Sequence, residues 1–536
     1  MSKLPERWDL ETDVLVIGSG CGGFPAAVSA HDGGARVMLI EKTDLFGGTT
    51  AMGGGGMWIP NNLHNVERGV SDSREKALGY AKLLTKGRAA DELIEAYVDT
   101  APEMLRYMEE RAGLRVQIST MPDYHPEQPG GHDGENSRTV IPGLFDTTTL
   151  GEHQKDLRQN PHQPIPMRNS EMVEWNAMGT PQRIDWELMA KRMEEGIVAF
   201  GTALIGYLYK GCLDRGVELM LNTRAMELFV DHGEVIGLRA QKEGNDLNIR
   251  ANKAVILASG GFEWDENLKK AFLPGPITHM NSLPANEGDG LKMAMAIGAD
   301  LANMSECWGW TSASIPGEEY EGKPLSRGIL AERNLPHCIM VNKKGKRFVN
   351  EAANYNTMFK NLWFFDENTM EPLNLPSWMI LDQQYKDKYA LTTIMPGDDA
   401  PPWVDQADTL DALAEKVGID PEGLVETVKN WNQYVSDEVD PDFHRARSVY
   451  DYLWGDPENK PNAAMGTIEK PPFYALPIYC GTLGTKGGPR TNIEGLYAAG
   501  NVMASVCGPA YWGGGATVGP AMTFGFIAGR HAAQRK

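Results

Sequence analysis

Asp13-Val-Leu-Val-Ile17 runs without a gap into Gly18-Ser-Gly20-Cys-Gly-Gly23 and then into Phe24 to His31. The first piece is a short apolar run of strand type, the second a glycine turn, the third a helix of small residues. The three glycines serve different ends: Gly18 makes the tight turn, Gly20 lets the backbone approach a pyrophosphate, and Gly23 lets helix and strand pack closely. The pyrophosphate would then lie on the helix N-terminus. A second strand, Arg36 to Ile40, ends in Glu41, 18 residues beyond Gly23. A carboxylate there is placed to hold a ribose hydroxyl. Strand, glycine turn, helix, strand and acid in this order predict a dinucleotide-binding α/β fold.

The choice between FAD and a nicotinamide cofactor rests on sequence further along. Gly47-Gly-Thr-Thr-Ala-Met-Gly53-Gly-Gly-Gly56 is a second glycine tract, which brings backbone against a large flat ligand and has no place in a nicotinamide enzyme. Met220 to Ala240 reads as strand and hairpin, turning at Asp231-His-Gly-Glu234, and Ala254 to Gly261 as a buried strand ending in small residues. Near the C-terminus Gly495-Leu-Tyr-Ala-Ala-Gly-Asn501 is a strand entering a turn. Gly513 to Met522 leads into a last helix, with Pro520 suited to its first turn.

Composition narrows the remaining classes. With 536 residues the chain exceeds what one core supports, so at least two globular units are expected. A net charge of −21 repels phosphate backbones, so nucleic acid is not an expected partner. The six cysteines show no C-x-x-C spacing and read as reduced thiols. The N-terminal segment lacks the apolar core of an export signal. The most apolar long segment, Ile197 to Tyr209, is broken by Gly201, Thr202 and Gly206, so no transmembrane segment is expected either. A cytoplasmic protein is expected. The 11 histidines contain no H-E-x-x-H or zinc-type cluster, and no serine stands in G-x-S-x-G, so neither a metal nor a hydrolase site is predicted.

Five stretches carry a likeness to a known family. They are Gly47 to Ala51, Asp123-Tyr-His-Pro-Glu127 with Gly130-Gly131, Ile339 to Glu351, Gly481-Thr-Leu-Gly-Thr-Lys-Gly-Gly-Pro-Arg490 and Ala516 to Gly525. Together they resemble the fumarate reductase flavoprotein superfamily, and within it the 3-ketosteroid Δ1-dehydrogenases. The last two are fairly specific for that branch. The resemblance implies a Rossmann-like FAD-binding domain interrupted by an α+β catalytic domain, drawn here at residues 1–277 with 468–536 and at 278–467. It implies non-covalent FAD held by Gly18, Gly20, Gly23, Glu41, Gly48, Thr49, Thr50, Ala51 and Gly53, then by Ala225, Ser259, Gly260, Gly500, Asn501 and Val518. Helices are expected from Asp185 to Arg215 and from Glu422 to Ser436, a hairpin across Val341 to Val349, and an exposed loop from Pro396 to Pro402.

Desaturation beside a ketone removes a proton from the α carbon and a hydride from the β carbon. The protein must supply donors for the enolate-like oxygen and a base over the α hydrogen. The resemblance assigns the donors to the Tyr511 hydroxyl and the Gly515 N–H, four residues apart. It assigns the base to Tyr355, after the Arg-Phe-x-Asn-Glu stretch, and a helper role to Tyr124, with a register ambiguous by one against His125. A phenol has an ordinary pKa of about 10, so Tyr355 needs a neighbour that favours phenolate.

The dicarboxylate branch carries a histidine in a His-x-Thr-x-Gly-Gly pattern, where this chain has Cys480-Gly-Thr-Leu-Gly484. The pocket candidates Trp308, Trp310, Trp363 and Trp512 are aromatic instead. The expected activity is FAD-dependent desaturation of a cyclic ketone, a 3-ketosteroid at its 1,2 bond, with an external quinone- or dye-like electron acceptor. Trp512 and Met121 depart from the steroid pattern and would narrow or reshape the pocket, which keeps a smaller ketone (a cyclohexanone or 4-oxocyclohexanecarboxylate) in play. A flavin electron carrier with no substrate site would lack convergent polar groups, and Tyr511, Gly515 and Tyr355 argue against it.

Overall fold

A computed structural model describes residues 4–70, 72–490 and 492–536. Its first sheet runs in the order Glu218–Met220, Val37–Ile40, Leu10–Ile17, Asn245–Leu257, Glu234–Lys242, Thr223–Asp231, with Leu496–Ala498 joining Asn245–Leu257. The strands around Leu10–Ile17 are parallel, with Val14 opposite both Val37 and Ala254. Val14 to Ile17 are all buried, as a parallel strand covered on both faces requires. One cover is the helix Gly23–Asp32, packed against the terminal helix Val518–Gln534. A Cβ on Gly23 would stand 1.9 Å from the Gly18 carbonyl oxygen, so only glycine permits this contact. The Thr223–Asp231/Glu234–Lys242 hairpin turns at the expected residues.

The second sheet has the order Lys323–Gly328, Cys307–Tyr320, Phe473–Thr485, Ser377–Asp382, Cys338–Asn342. Its middle strand, Phe473–Thr485, lies past residue 467, in the stretch that the sequence reading gives back to the first domain. This strand is buried almost continuously and pairs with Cys307–Tyr320 on one side and Ser377–Asp382 on the other, and the chain rejoins the first sheet at Leu496.

Two local expectations are corrected. The Asp185 to Arg215 segment is two helices, Trp186–Glu194 and Phe200–Leu213, separated at Gly196 (φ +73°) and by the short strand Ile197–Val198. Past the turn at Lys343-Lys-Gly345 there is no second hairpin arm but a single bridge from Val341 to Arg347. The reason is a buried ion cluster. Arg347 binds Glu351 through two bonds of 2.8 Å and Asp440 through bonds of 3.0 and 2.9 Å. Fixing these groups needs a folded-back loop rather than an extended strand. The helix at Pro421–Ser436 forms as read, and residues 396–402 are an irregular loop.

Candidate active site

A cavity of about 600 Å³ opens at the carboxyl ends of Leu10–Ile17 and Val37–Ile40 and continues between the two sheets. Ligands of open α/β folds enter at this edge. All the cofactor-binding candidates except Gly23 and Ala51 line it. Those two are buried behind the wall, Gly23 in the helix–strand contact and Ala51 in the short helix Gly48–Met52.

The cavity's first half has the chemistry of a dinucleotide cradle. Glu41 is buried, and its Oε2 accepts from the Ser19 N–H (3.1 Å) and hydroxyl (2.7 Å). Its Oε1 accepts from the Thr43 N–H at 3.0 Å, so the carboxylate is fixed at the strand end where a ribose would meet it. Thr49 accepts from Leu283 N–H (3.1 Å) and Asn286 Nδ2 (2.9 Å), tying the second glycine tract to the opposite wall. The Ser259 hydroxyl is buried with no partner among the described residues and belongs to the same wall. An orphaned hydroxyl, a fixed acid and successive bare glycine backbones fit FAD.

The second half gathers tyrosines from separate parts of the chain. Tyr124 Oη donates to Tyr355 Oη at 3.0 Å, and the Tyr511 ring lies 4.9 Å from Tyr124 and 5.5 Å from Tyr355. Each has a local cause. The Tyr124 N–H donates to the Trp512 carbonyl at 3.0 Å beside a bridge from Asp123 to Gly513, so the loop carrying Tyr124 pairs with the loop carrying Tyr511. Asp123 is pinned by Trp58 Nε1 at 2.6 Å and Arg138 at 2.8 Å. Tyr355 opens a short helix capped by Asn354, whose Oδ1 accepts from Thr357 N–H and whose Nδ2 donates to the Tyr124 carbonyl at 3.1 Å. The Arg347–Glu351–Asp440 cluster holds the chain just before this cap. The Trp310 ring sits 4.0 Å from Tyr355.

Tyr124 rather than His125 reaches the cluster. The His125 ring turns instead to Asn354 and Thr357, each at 3.4 Å. Burial pushes the phenols of Tyr355, Tyr124 and Tyr511 above their ordinary range. Gly515 has φ +84°, and a Cβ there would fall 2.1 Å from the Gly56 carbonyl oxygen. The two glycine tracts therefore touch backbone to backbone. Gly515 lines the cavity, its carbonyl accepts from Trp58 and Gly519 N–H, and its own N–H has no acceptor among the described residues.

Of the four tryptophans expected in the pocket, Trp310 alone lines this cavity. Trp512 is fully buried, 5.4 Å from Trp58 and 5.8 Å from Tyr97, so it supports the site from behind instead of narrowing it. Trp308 packs behind Tyr511 at 4.7 Å, and Trp363 packs on Phe359 at 4.5 Å. Met121 does line the cavity. The wall beyond the tyrosines comes from residues with no motif to mark them: Met167, Met172, Met178, Ile184, Met395 and Trp454. Tyr450, whose ring is 5.2 Å from Tyr124, was likewise unmarked.

Comparison with known proteins points the same way. The "FAD binding domain" family model matches residues 13–518. The chain is 37% identical to a 4-oxocyclohexanecarboxylate 2-dehydrogenase of Sinomonas cyclohexanicum, covering 97% of this chain and 92% of that one. It is 38% identical to a 3-oxosteroid 1-dehydrogenase of Mycobacterium tuberculosis (strain ATCC 25618 / H37Rv), covering 98% and 99%. Among solved structures, the 3-ketosteroid delta1-dehydrogenase from Sterolibacterium denitrificans in complex with 1,4-androstadiene-3,17-dione superposes with a TM-score of 0.91. It is 35% identical, with 98% of this chain and 99% of that one covered.

Proposed function

The chain belongs to the FAD binding domain family, and from that premise we propose that it desaturates a 3-ketosteroid at the 1,2 bond. FAD-dependent dehydrogenation of a cyclic ketone is the activity its relatives share. The observation that carries the reading is the convergence on one cavity wall of a phenol and a free backbone N–H with a second phenol pair at 3.0 Å. In this reading Tyr511 O–H and Gly515 N–H hold the ketone oxygen, gaining strength as it takes on enolate charge. Tyr355 Oη accepts the proton from the α carbon, and Tyr124, donating to Tyr355, stabilises the phenolate before transfer. Bound FAD supplies the hydride acceptor for the β hydrogen. The apolar lining, Met121 and Trp310 beside the tyrosines among it, keeps water from the ring carbons, where it would quench the developing carbanion.

The methionine-rich far wall, closed by Ile184 and Trp454, supports an extended apolar substrate. The Sinomonas relative favours a second reading, a small ketone acid. That substrate requires a cation for its carboxylate, and Arg327, which lines the cavity, is already held by Glu318 through bonds of 2.7 and 2.9 Å. The electrons leave to an external quinone- or dye-like acceptor, and the six buried, unpaired cysteines support a cytoplasmic setting. The test is dye-linked turnover on 4-androstene-3,17-dione and, in parallel, on 4-oxocyclohexanecarboxylate. Steroid turnover with the higher kcat/KM is expected. A preference for the acid overturns the steroid assignment, and turnover of neither overturns the activity.

A further inference from the structure

An oxyanion donor works only if it stays in place while the ketone oxygen takes on charge, and a loop is a poor mount for such a group. Tyr511 stands at the end of one: residues 505–511 contain neither strand nor helix. The side chain that ties this loop down is Lys486, which follows the strand Phe473–Thr485 of the second sheet. Lys486 is fully buried and lies outside the cavity. Burial pulls its ammonium down to about 8, so it is still a cation at neutral pH. It meets the loop at three points. Its carbonyl accepts from the Ser505 N–H at 2.9 Å, and its Nζ donates to the carbonyls of Gly508 at 3.3 Å and Ala510 at 2.7 Å. The Ala510 oxygen belongs to the peptide bond that joins Ala510 to Tyr511.

The same Nζ stands over the Trp308 ring, 4.1 Å from its centroid. Trp308 lies where the pairing of Cys307–Tyr320 with Phe473–Thr485 slips by one residue, Cys307 facing Thr485 but Gly309 facing Thr482. Its ring packs on Tyr511 at 4.7 Å, and its Nε1 donates to Asn501 Oδ1 at 3.0 Å, on the cavity wall. Bonds from a cation to carbonyls are stronger than those between neutral groups, and a desolvated cation over an indole adds a further attraction. We infer that Lys486, seated on Trp308, is a positioning residue for the reaction: it holds the main chain and the ring of Tyr511 so that the hydroxyl stays where the enolate oxygen forms. The strand that carries Trp308 also carries Trp310, whose ring meets Tyr355 at 4.0 Å. Clamp and proposed base are therefore referred to one strand.

The inference rests on Tyr511 being the carbonyl clamp, and a double-mutant cycle separates the two. The limiting rate of anaerobic flavin reduction by 4-androstene-3,17-dione at pH 7 is measured for wild type, Lys486→Met, Tyr511→Phe and the double variant, with FAD content determined on each sample. Methionine keeps an unbranched chain in the space and removes the charge and the donors. Lys486→Met should lower the limiting rate tenfold or more while the half-saturating substrate concentration moves less than threefold. In the Tyr511→Phe background, where the hydroxyl to be positioned is gone, the same substitution should cost less than threefold. A Lys486→Met rate within threefold of wild type, or an equal loss in both backgrounds, overturns the inference. If Lys486→Met fails to retain FAD, the cycle with Trp308→Leu decides: a loss that shrinks in the Tyr511→Phe background supports the inference and an equal loss overturns it. Tyr511→Phe alone within threefold of wild type shows instead that the clamp assignment has failed, and the inference falls with it.

Discussion

In the proposed mechanism Tyr511→Phe removes one hydrogen bond to the reacting oxygen. The ring is buried against Tyr124, Tyr355 and Trp308, and phenylalanine keeps those contacts. Its hydroxyl meets the Thr517 hydroxyl loosely, at 3.3 Å, so losing it should cost the folded protein no more than about 1 kcal/mol. In the transition state the same hydroxyl faces a developing oxyanion in a dry site, where removing one preorganised donor costs about 2.7–4 kcal/mol. At about 1.36 kcal/mol per decade this is a fall of roughly 10²–10³ in the rate of flavin reduction. Ground-state binding loses only a neutral hydrogen bond, about 1 kcal/mol, so KM should rise by a factor of about five at most. Gly515 N–H still serves the oxygen, which sets a floor above complete loss. Burial holds Tyr511 protonated, so the loss should not vary with pH across the neutral range. The assay is stopped-flow flavin bleaching with FAD content measured on the same sample. A rate within threefold of wild type at full flavin content would refute the assignment of Tyr511 to the carbonyl clamp.

Tyr355→Phe should retain the spectral shift that a bound ketone gives the flavin while losing α-hydrogen exchange in D2O by about two orders of magnitude or more, the scale of general base catalysis. Trp512→Ala opens a hole beside Trp58 and Tyr97 and should cost about 3–5 kcal/mol in chemical denaturation, with no gain in the ratio of steroid to small-ketone rates. Although burial favours the neutral acids, Arg347 holds Glu351 and Asp440 below the ordinary carboxylate range, so their contribution to stability is complete above pH about 4–5 and is lost as the pH falls through the lower folded values. Thermal melts should therefore drop steeply below pH 4, and Asp440→Asn should flatten that dependence while lowering stability by about 3 kcal/mol at pH 7. FAD is expected to be non-covalent, so acid precipitation should release the yellow colour into the supernatant; colour retained in the pellet would show a covalent link.

The glycine turn at Gly18 to Gly23 and the acid at Glu41 were legible because backbone contact with a phosphate admits few residue types, and those types stand at fixed spacing. The same holds for Gly515, whose φ and closeness to Gly56 forbid any side chain. The far wall was not legible. Met167, Met178 and Met395 need only be apolar and of suitable volume, a demand that many positions meet equally well. Trp512 was misread for a related reason: its neighbour Tyr511 faces the cavity, but adjacent residues in an extended loop point to opposite sides, and Trp512 fills the space behind. The boundary drawn at residue 468 leaves the strand Phe473–Thr485 with the first domain because its near-continuous apolar run does not itself say which sheet it joins. Only the partners across it, Cys307–Tyr320 and Ser377–Asp382, decide.

The Arg-Phe-x-Asn-Glu stretch has a meaning that its residue types alone conceal. Arg347 and Glu351 never reach the cavity; they are spent on each other and on Asp440. What they fix is the geometry of the next turn, where Asn354 bonds at once to the Tyr355 helix and to the Tyr124 carbonyl. Tyr124 is in turn fixed to the Trp512 carbonyl, one residue from Tyr511. The proposed base, its helper and the carbonyl clamp thus form one hydrogen-bonded chain across three distant segments. A proton acceptor and an oxyanion donor must keep a set distance over one small ring, and a continuous covalent and hydrogen-bonded path between them is what allows two separate sheets to hold it.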